Sequence, residues 1–237
     1  MGLGFLSSVK VETRVSVAHI IAIVASSDLD KEDRAAVFRN LLEERIAVVK
    51  DKSKQISLEA RHGSTVALGF LIGRLRYRYP QAYASFVPED LLQKATATIA
   101  EELNESSSIT LLGVCQALAE AGRYAPLSLP KGDAAAMEVD SGAGAAESRA
   151  WTIESVIQKL ISLVRLSKDP KVQEKAITTL GHLTVGDKSL VDKVLTFFYT
   201  LPSTLTKQIE IHFTIGDAVS AVGCGWGSAN MERYLDV

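Results

Sequence analysis

The residues best equipped for chemistry are four histidines, His19, His62, His182 and His212, and two cysteines, Cys115 and Cys224. Imidazoles and thiolates at short spacing hold zinc, and a cysteine beside a histidine makes a nucleophile. Neither pattern occurs here. Each histidine falls in a different predicted helix, and the cysteines form no CxxC pair. No Ser/His/Asp arrangement stands out, although such groups can assemble from distant positions. Packing or helix capping is the expected role of these side chains. The chain is therefore expected to have no catalytic, cofactor-binding or metal-binding residue, and to be no enzyme. Which residues bind a partner is not legible.

Three glycine-bearing strings imitate ligand loops. Gly2-Leu3-Gly4-Phe5 spells the carboxylate-binding loop of a PDZ domain, but that loop needs flanking strands and here a helix follows. Gly223-Cys224-Gly225-Trp226-Gly227 has the flavour of a dinucleotide loop, yet it follows a predicted helix rather than a strand, and a helix exit is expected. Val185-Gly186-Asp187-Lys188-Ser189 ends like a phosphate loop without the upstream glycine. The charged runs Glu43-Glu44-Arg45 and Glu101-Glu102 read as solvated helix faces.

Composition narrows the function further. The 237 residues are 47% hydrophobic and 23% charged, as in ordinary globular proteins. A net charge of −2 argues against nucleic acid as the main partner, leaving only local basic runs such as Arg74–Pro80. No stretch of 18 uncharged apolar residues exists, so no membrane span is expected. The first residues lack a basic region and a long apolar core, so a signal peptide is not expected. Leu6 stands where myristoylation wants a small hydroxyl residue. Two cysteines in apolar contexts fit free buried thiols in a reducing compartment.

Apolar periodicity predicts helices over Ser8–Ala25, Glu32–Lys50, Ser57–Tyr77, from Pro88, and over Ser108–Tyr124. Further helices are predicted from Trp151, from Asp169-Pro170 with proline near the first position, from a capping Asp187, and over Lys207–Val222. The Ser57–Tyr77 helix is hydrophobic nearly all round and belongs in an interior layer. Its glycines Gly63, Gly69 and Gly73 each cost about 1 kcal/mol of helix propensity. Close approach of a neighbouring helix is the expected compensation. Pro130–Ser148 is small, polar and free of aromatics, and reads as a disordered surface insert. Within it, Glu138-Val139-Asp140 is a candidate acidic docking segment, though such inserts are more often merely tolerated.

Gly69, Gly113, Gly181 and Gly216 occupy similar places in VALGFLIG, ITLLGVCQAL, AITTLGHLTVGD and IHFTIGDAVSAV. This is a degenerate helical repeat lengthened once by the insert. Nine helices without a clear strand pair predict an all-α fold, a HEAT/armadillo-like α-solenoid of stacked antiparallel helix pairs. Residues 1–127 and 150–223 would be repeats, 128–149 the insert and 224–237 an irregular tail. Apolar surface is expected at both edges of such a stack.

Two segments go beyond generic repeats. VQEKAITTLGHLTVGD (Val172–Asp187) and KQIEIHFTIGDAVSAV (Lys207–Val222) resemble stretches of the very large HEAT-repeat adaptor and scaffold family of the proteasome, and ARHGSTVALGFLIGRL (Ala60–Leu75) is similar to its repeat helices. The resemblance implies a non-enzymatic scaffold, much longer than this chain, that associates with the 26S proteasome. Its partners would be regulatory and core particle subunits, with a part in assembly quality control and a link to trafficking proteins. It would act in cytoplasm and nucleus by tethering two partners on one curved surface. Helical periodicity alone fits equally well an adaptor or transport receptor unrelated to the proteasome.

Overall fold

A computed structural model describes residues 3–132, 150–202, 205 and 207–225. Among these the chain forms ten α-helices. They are α1 (Val11–Ala25), α2 (Glu32–Lys50), α3 (Leu58–Arg78), the short α4 (Tyr83–Phe86) and α5 (Glu89–Glu101). α6 (Ser108–Gly122), α7 (Ile153–Leu166), α8 (Pro170–His182), α9 (Lys188–Tyr199) and α10 (Ile209–Gly225) complete the set. Leu3–Ser7 and Glu102–Asn104 are 3₁₀ turns. The expected all-α solenoid is what forms.

Local chemistry starts the helices where the sequence indicates. Ser57 and Ser107 accept the Ala60 and Thr110 amides at the starts of α3 and α6. Thr152 and Ser155 form a reciprocal capping box on α7. Asp169 caps α8 with Pro170 in its first turn, where no amide proton is needed. Asp187 accepts the Ser189 and Leu190 amides of α9, and Gly186 at φ +73° turns the chain into that cap. VGDKS is thus a helix start. Lys131 holds the other Asp187 oxygen at 2.7 Å.

The helices sort into two layers. α1, α3, α6, α8 and α10 stack side by side as an inner layer, and α2, α5, α7 and α9 lie behind them. α3 touches α1, α2, α5 and α6, which explains its burial from His62 to Gly73 without a break. Its glycines work as expected: a Cβ on Gly63 would lie 2.0 Å from the Leu6 carbonyl oxygen, and one on Gly73 would lie 2.3 Å from that of Glu120. Phe38, Leu42, Leu68, Leu71, Leu75, Leu92 and Ile99 form the centre of the continuous core, all essentially solvent-free. Each such side chain stabilises the fold by roughly 1.5–3 kcal/mol relative to exposure.

Several local expectations need correcting. α1 begins at Val11, three residues later than predicted, and Val11 is partly exposed while Arg14 is buried. The Pro80–Pro88 connection contains the α4 turn, whose Phe86 packs edge-on to Tyr79. Glu102 is buried and paired to Lys52, so only Glu101 of that pair is a solvated face. α10 runs through Gly225, so Gly223-Cys224-Gly225 lies within a helix. Leu3–Ser7, which overlaps the Gly2–Phe5 string, is a 3₁₀ turn, in keeping with setting the PDZ reading aside.

The 128–149 insert lies largely outside the described residues, as do Glu138-Val139-Asp140 and the tail beyond Gly225. Its described base is packed. Arg76 donates to Pro126 O at 2.5 Å and Ser128 Oγ at 2.6 Å, Leu129 is buried, and the Gly132 amide donates to Glu154 at 2.6 Å. Arg76 also stacks over the Tyr83 ring, 4.8 Å from its centre. The basic run Arg74–Pro80 is therefore partly consumed inside the fold.

Candidate functional site

α1, α6, α8 and α10 each turn a partly exposed flank outward, whereas α3 is buried from His62 to Gly73. Those flanks line a groove of about 430 Å³, with the buried His62 and Val66 of α3 beneath it. Its apolar part comes from Val11 and Val15 of α1, Val66 of α3 and Leu112 of α6. Its polar part comes from Gln116 of α6, Lys171, Glu174, Lys175 and Thr178 of α8, and Thr214 of α10. A larger recess of about 700 Å³ lies where α6, α7 and α8 meet, and it engages fewer helices.

Buried polar contacts fix the floor. Arg14 Nε donates to His62 Nδ1 at 3.1 Å, so the imidazole proton sits on Nε2. The same guanidinium holds the Ser8 and Val9 carbonyls, tying the N-terminal turn to α1. The His62 ring rests in a notch on α6: a Cβ on Gly113 would lie 2.8–2.9 Å from two of its atoms. Burial, then the Arg14 charge, pushes His62 down to about 4, leaving it neutral.

Further along, Cys115 is buried between α6 and α8, and burial pushes its thiol up to about 12. Thr179 Oγ1 bridges the Cys115 and Lys175 carbonyls at 2.9 and 2.7 Å. Glu120 Oε1 accepts from Gln116 at 2.9 Å and from Arg123 at 3.1 Å. Partial burial lowers the Lys175 ammonium from its ordinary value. Neither Lys171 nor Lys175 is in an ion pair among the described residues. The groove thus offers an apolar strip beside free cations and amide groups, a surface suited to polypeptide.

The histidines do not converge. His19 stacks on Phe70 with ring centres 4.9 Å apart, His62 is locked by Arg14, His182 is pushed down to about 4 by burial, then by Arg123 and Lys175, and His212 lies beside Phe213. Among the described residues no three His, Cys, Asp or Glu side chains gather as metal ligands. The Cys224 side chain lies outside the described residues. The groove residues were not legible individually. Their shared signal is the partly exposed flank of α1, α6, α8 and α10, visible only once the inner layer is assigned.

Residues 3–121 match the family described as "ECM29, ARM-like repeats", and residues 146–185 match the armadillo/beta-catenin-like repeat. The Homo sapiens "Proteasome adapter and scaffold protein ECM29" is 31% identical over 235 residues, covering 94% of this chain. The chain spans only 12% of that protein's length. A designed armadillo repeat protein aligns at TM-score 0.49 and 13% identity, covering 98% of this chain and 86% of its own. Another, solved in complex with peptide (KR)4, aligns at 0.47 and 15% identity, covering 93% and 80%.

Proposed function

Because this chain belongs to the family of ECM29 ARM-like repeats, we propose that it acts as a non-enzymatic scaffold that binds the proteasome and helps tether its regulatory and core particles. The observation that carries this reading is the 31% identity to a proteasome adapter and scaffold protein, sustained over nearly the whole chain. The physical support is the groove. The inner-layer helices contribute to one shared lining, which fits holding a partner. Two modest contacts on one solenoid reinforce each other through effective concentration, without a bond being made or broken. Support of assembly quality control, links to trafficking proteins, and residence in cytoplasm and nucleus follow from the same reading.

The test is retention of purified 26S proteasome on the immobilised 237-residue chain at low salt. Core and regulatory subunits should both be retained, and Leu112→Glu or Lys175→Glu should weaken retention while preserving the fold. Failure of the wild-type chain to retain either particle would remove the proteasome reading and leave a solenoid adaptor for another partner.

A further inference from the structure

α3 comes back to the surface beyond Gly73. Arg74 is half-buried, Tyr77 and Arg78 are exposed, and their i, i+3, i+4 spacing puts all three on one face of the helix. Beside them the C-terminal end of α6 exposes Arg123 and Tyr124. The Arg74 guanidinium lies over the Tyr77 ring, 5.0 Å from its centre, and that ring tilts against Tyr124 with centres 4.9 Å apart. Tyr77 is 55% exposed and Tyr124 42%, so two rings in mutual contact still face outward.

We propose that this patch docks a carboxylate-rich segment of a partner protein, its carboxylates held by Arg74, Arg78 and Arg123 and its chain laid across the Tyr77–Tyr124 pair. Such a partner presupposes the scaffold reading and specifies the chemistry of one segment the scaffold holds.

Charge selects the occupant. Among the described residues neither Arg74 nor Arg78 is in an ion pair, and the Arg74 Nε is buried without a hydrogen-bond partner. The carboxylate that meets this cluster is the mostly buried Glu120, which accepts from Arg123 at 3.1 Å and from Gln116 at 2.9 Å. Three guanidinium groups thus face one internal carboxylate. Burial, then the Arg123 and Lys175 charges, pushes His182 down to about 4, in keeping with a positive local potential. Cations in the last turns of α3 and α6 complement the helix ends, but each end carries only about half a charge. A planar guanidinium stacked on a ring keeps its edge N–H groups free for a carboxylate.

A protein segment fits better than nucleic acid, because the chain carries a net charge of −2 and would repel an extended phosphate backbone. Tyrosine and arginine are also side chains that concentrate binding energy in protein interfaces. The ring pair is already assembled, so little side-chain freedom is lost on docking. The patch lies inside the stack: α3 is flanked by α1 and α6, and α6 by α3 and α8. In a solenoid each repeat covers only its neighbours, so repeats added at either end would leave these residues open.

Fluorescence anisotropy of a fluorescein-labelled random copolymer of glutamate and tyrosine, titrated with the full chain at low salt, tests this. The wild type should bind it, and bind single-stranded DNA much less. Arg78→Gln and Tyr124→Ala, both at exposed positions, should each weaken binding by about tenfold, while Lys188→Gln on α9 should change nothing. Glu120→Gln removes the internal competitor and should tighten binding by about threefold, a gain that a folding defect cannot produce. Circular dichroism would check that the variants fold. A folded wild type that does not bind, unchanged binding in both Arg78→Gln and Tyr124→Ala, or equal binding of DNA overturns the proposal. So does binding that emerges only in Glu138→Gln/Asp140→Asn, since the chain's own acidic run would then hold the patch. The titration contains no proteasome, so its failure is distinct from a failure to retain that particle.

Discussion

The backbone of Ala117 occupies the space a side chain on Gly69 would need: a Cβ there would lie 2.4 Å from the Ala117 Cα and 2.3 Å from its carbonyl oxygen. The obstacle is main chain, so relief requires α6 to shift as a body. Gly69→Ala is expected to destabilise by about 2–3 kcal/mol through overpacking. Gly216→Ala, at the same repeat position with open space around it, should instead stabilise by up to about 1 kcal/mol through helix propensity. Urea denaturation of both variants checks the contrast. Equal effects would mean that close approach is not what the interior glycine serves.

Acid sensitivity should come from the buried imidazoles. His62 and His182 are held near 4 in the fold, against 6.5 for an unperturbed ring. The folded state therefore binds fewer protons than the unfolded chain between those values. Stability is full above pH 6.5, declines as pH falls towards 4, and then levels. Each ring contributes a slope approaching about 1.4 kcal/mol per pH unit. Denaturation series across pH 4–7.5 should show this, with a shallower slope for His62→Gln. A flat profile in that window would contradict it.

Cys115 should be inert while the chain is folded. Its thiol is fully buried and pushed up to about 12, so almost no thiolate exists at pH 8. Iodoacetamide labelling followed by peptide mapping should find Cys115 unmodified in buffer and modified in urea. Rapid native labelling at this position would show that α6 and α8 separate readily.

Arg76 should be structural rather than a cation for partners. Its guanidinium holds Pro126 O and Ser128 Oγ, while its Nε is buried without a partner. Arg76→Met keeps the apolar stem but leaves a carbonyl unsatisfied, and should cost about 2–3 kcal/mol. Hydrogen exchange should accelerate at Leu127 and Leu129. Unchanged exchange there would relocate the clamp to another contact.

Helix periodicity and caps are local properties, which is why α2 was placed to the residue and the Thr152, Asp169 and Asp187 starts were readable. Burial of charge was not readable. Nothing adjacent to Arg14 or Glu102 in sequence announces His62, 48 residues away, or Lys52, 50 residues away. The glycines were legible as a repeat but not by direction. Gly69 and Gly181 face the next helix, whereas Gly113 faces back towards His62. That choice depends on which flank each helix presents, a tertiary fact. The groove was illegible for the same reason: Val15, Leu112 and Lys175 share no local pattern and meet only across the stack.

Gly132 and Thr152 nearly touch, with a Cβ on the glycine only 2.9 Å from the threonine hydroxyl. Whatever is spliced between them therefore departs from and returns to one spot on the solenoid. Lengthening a closed loop is cheap, about 0.6 kcal/mol for each doubling. The junction is thus a grafting port: an epitope or a fluorescent domain with nearby termini can be installed there without respacing the repeats on either side. It gives a fixed vantage point from which the bending of the whole stack could be followed by energy transfer.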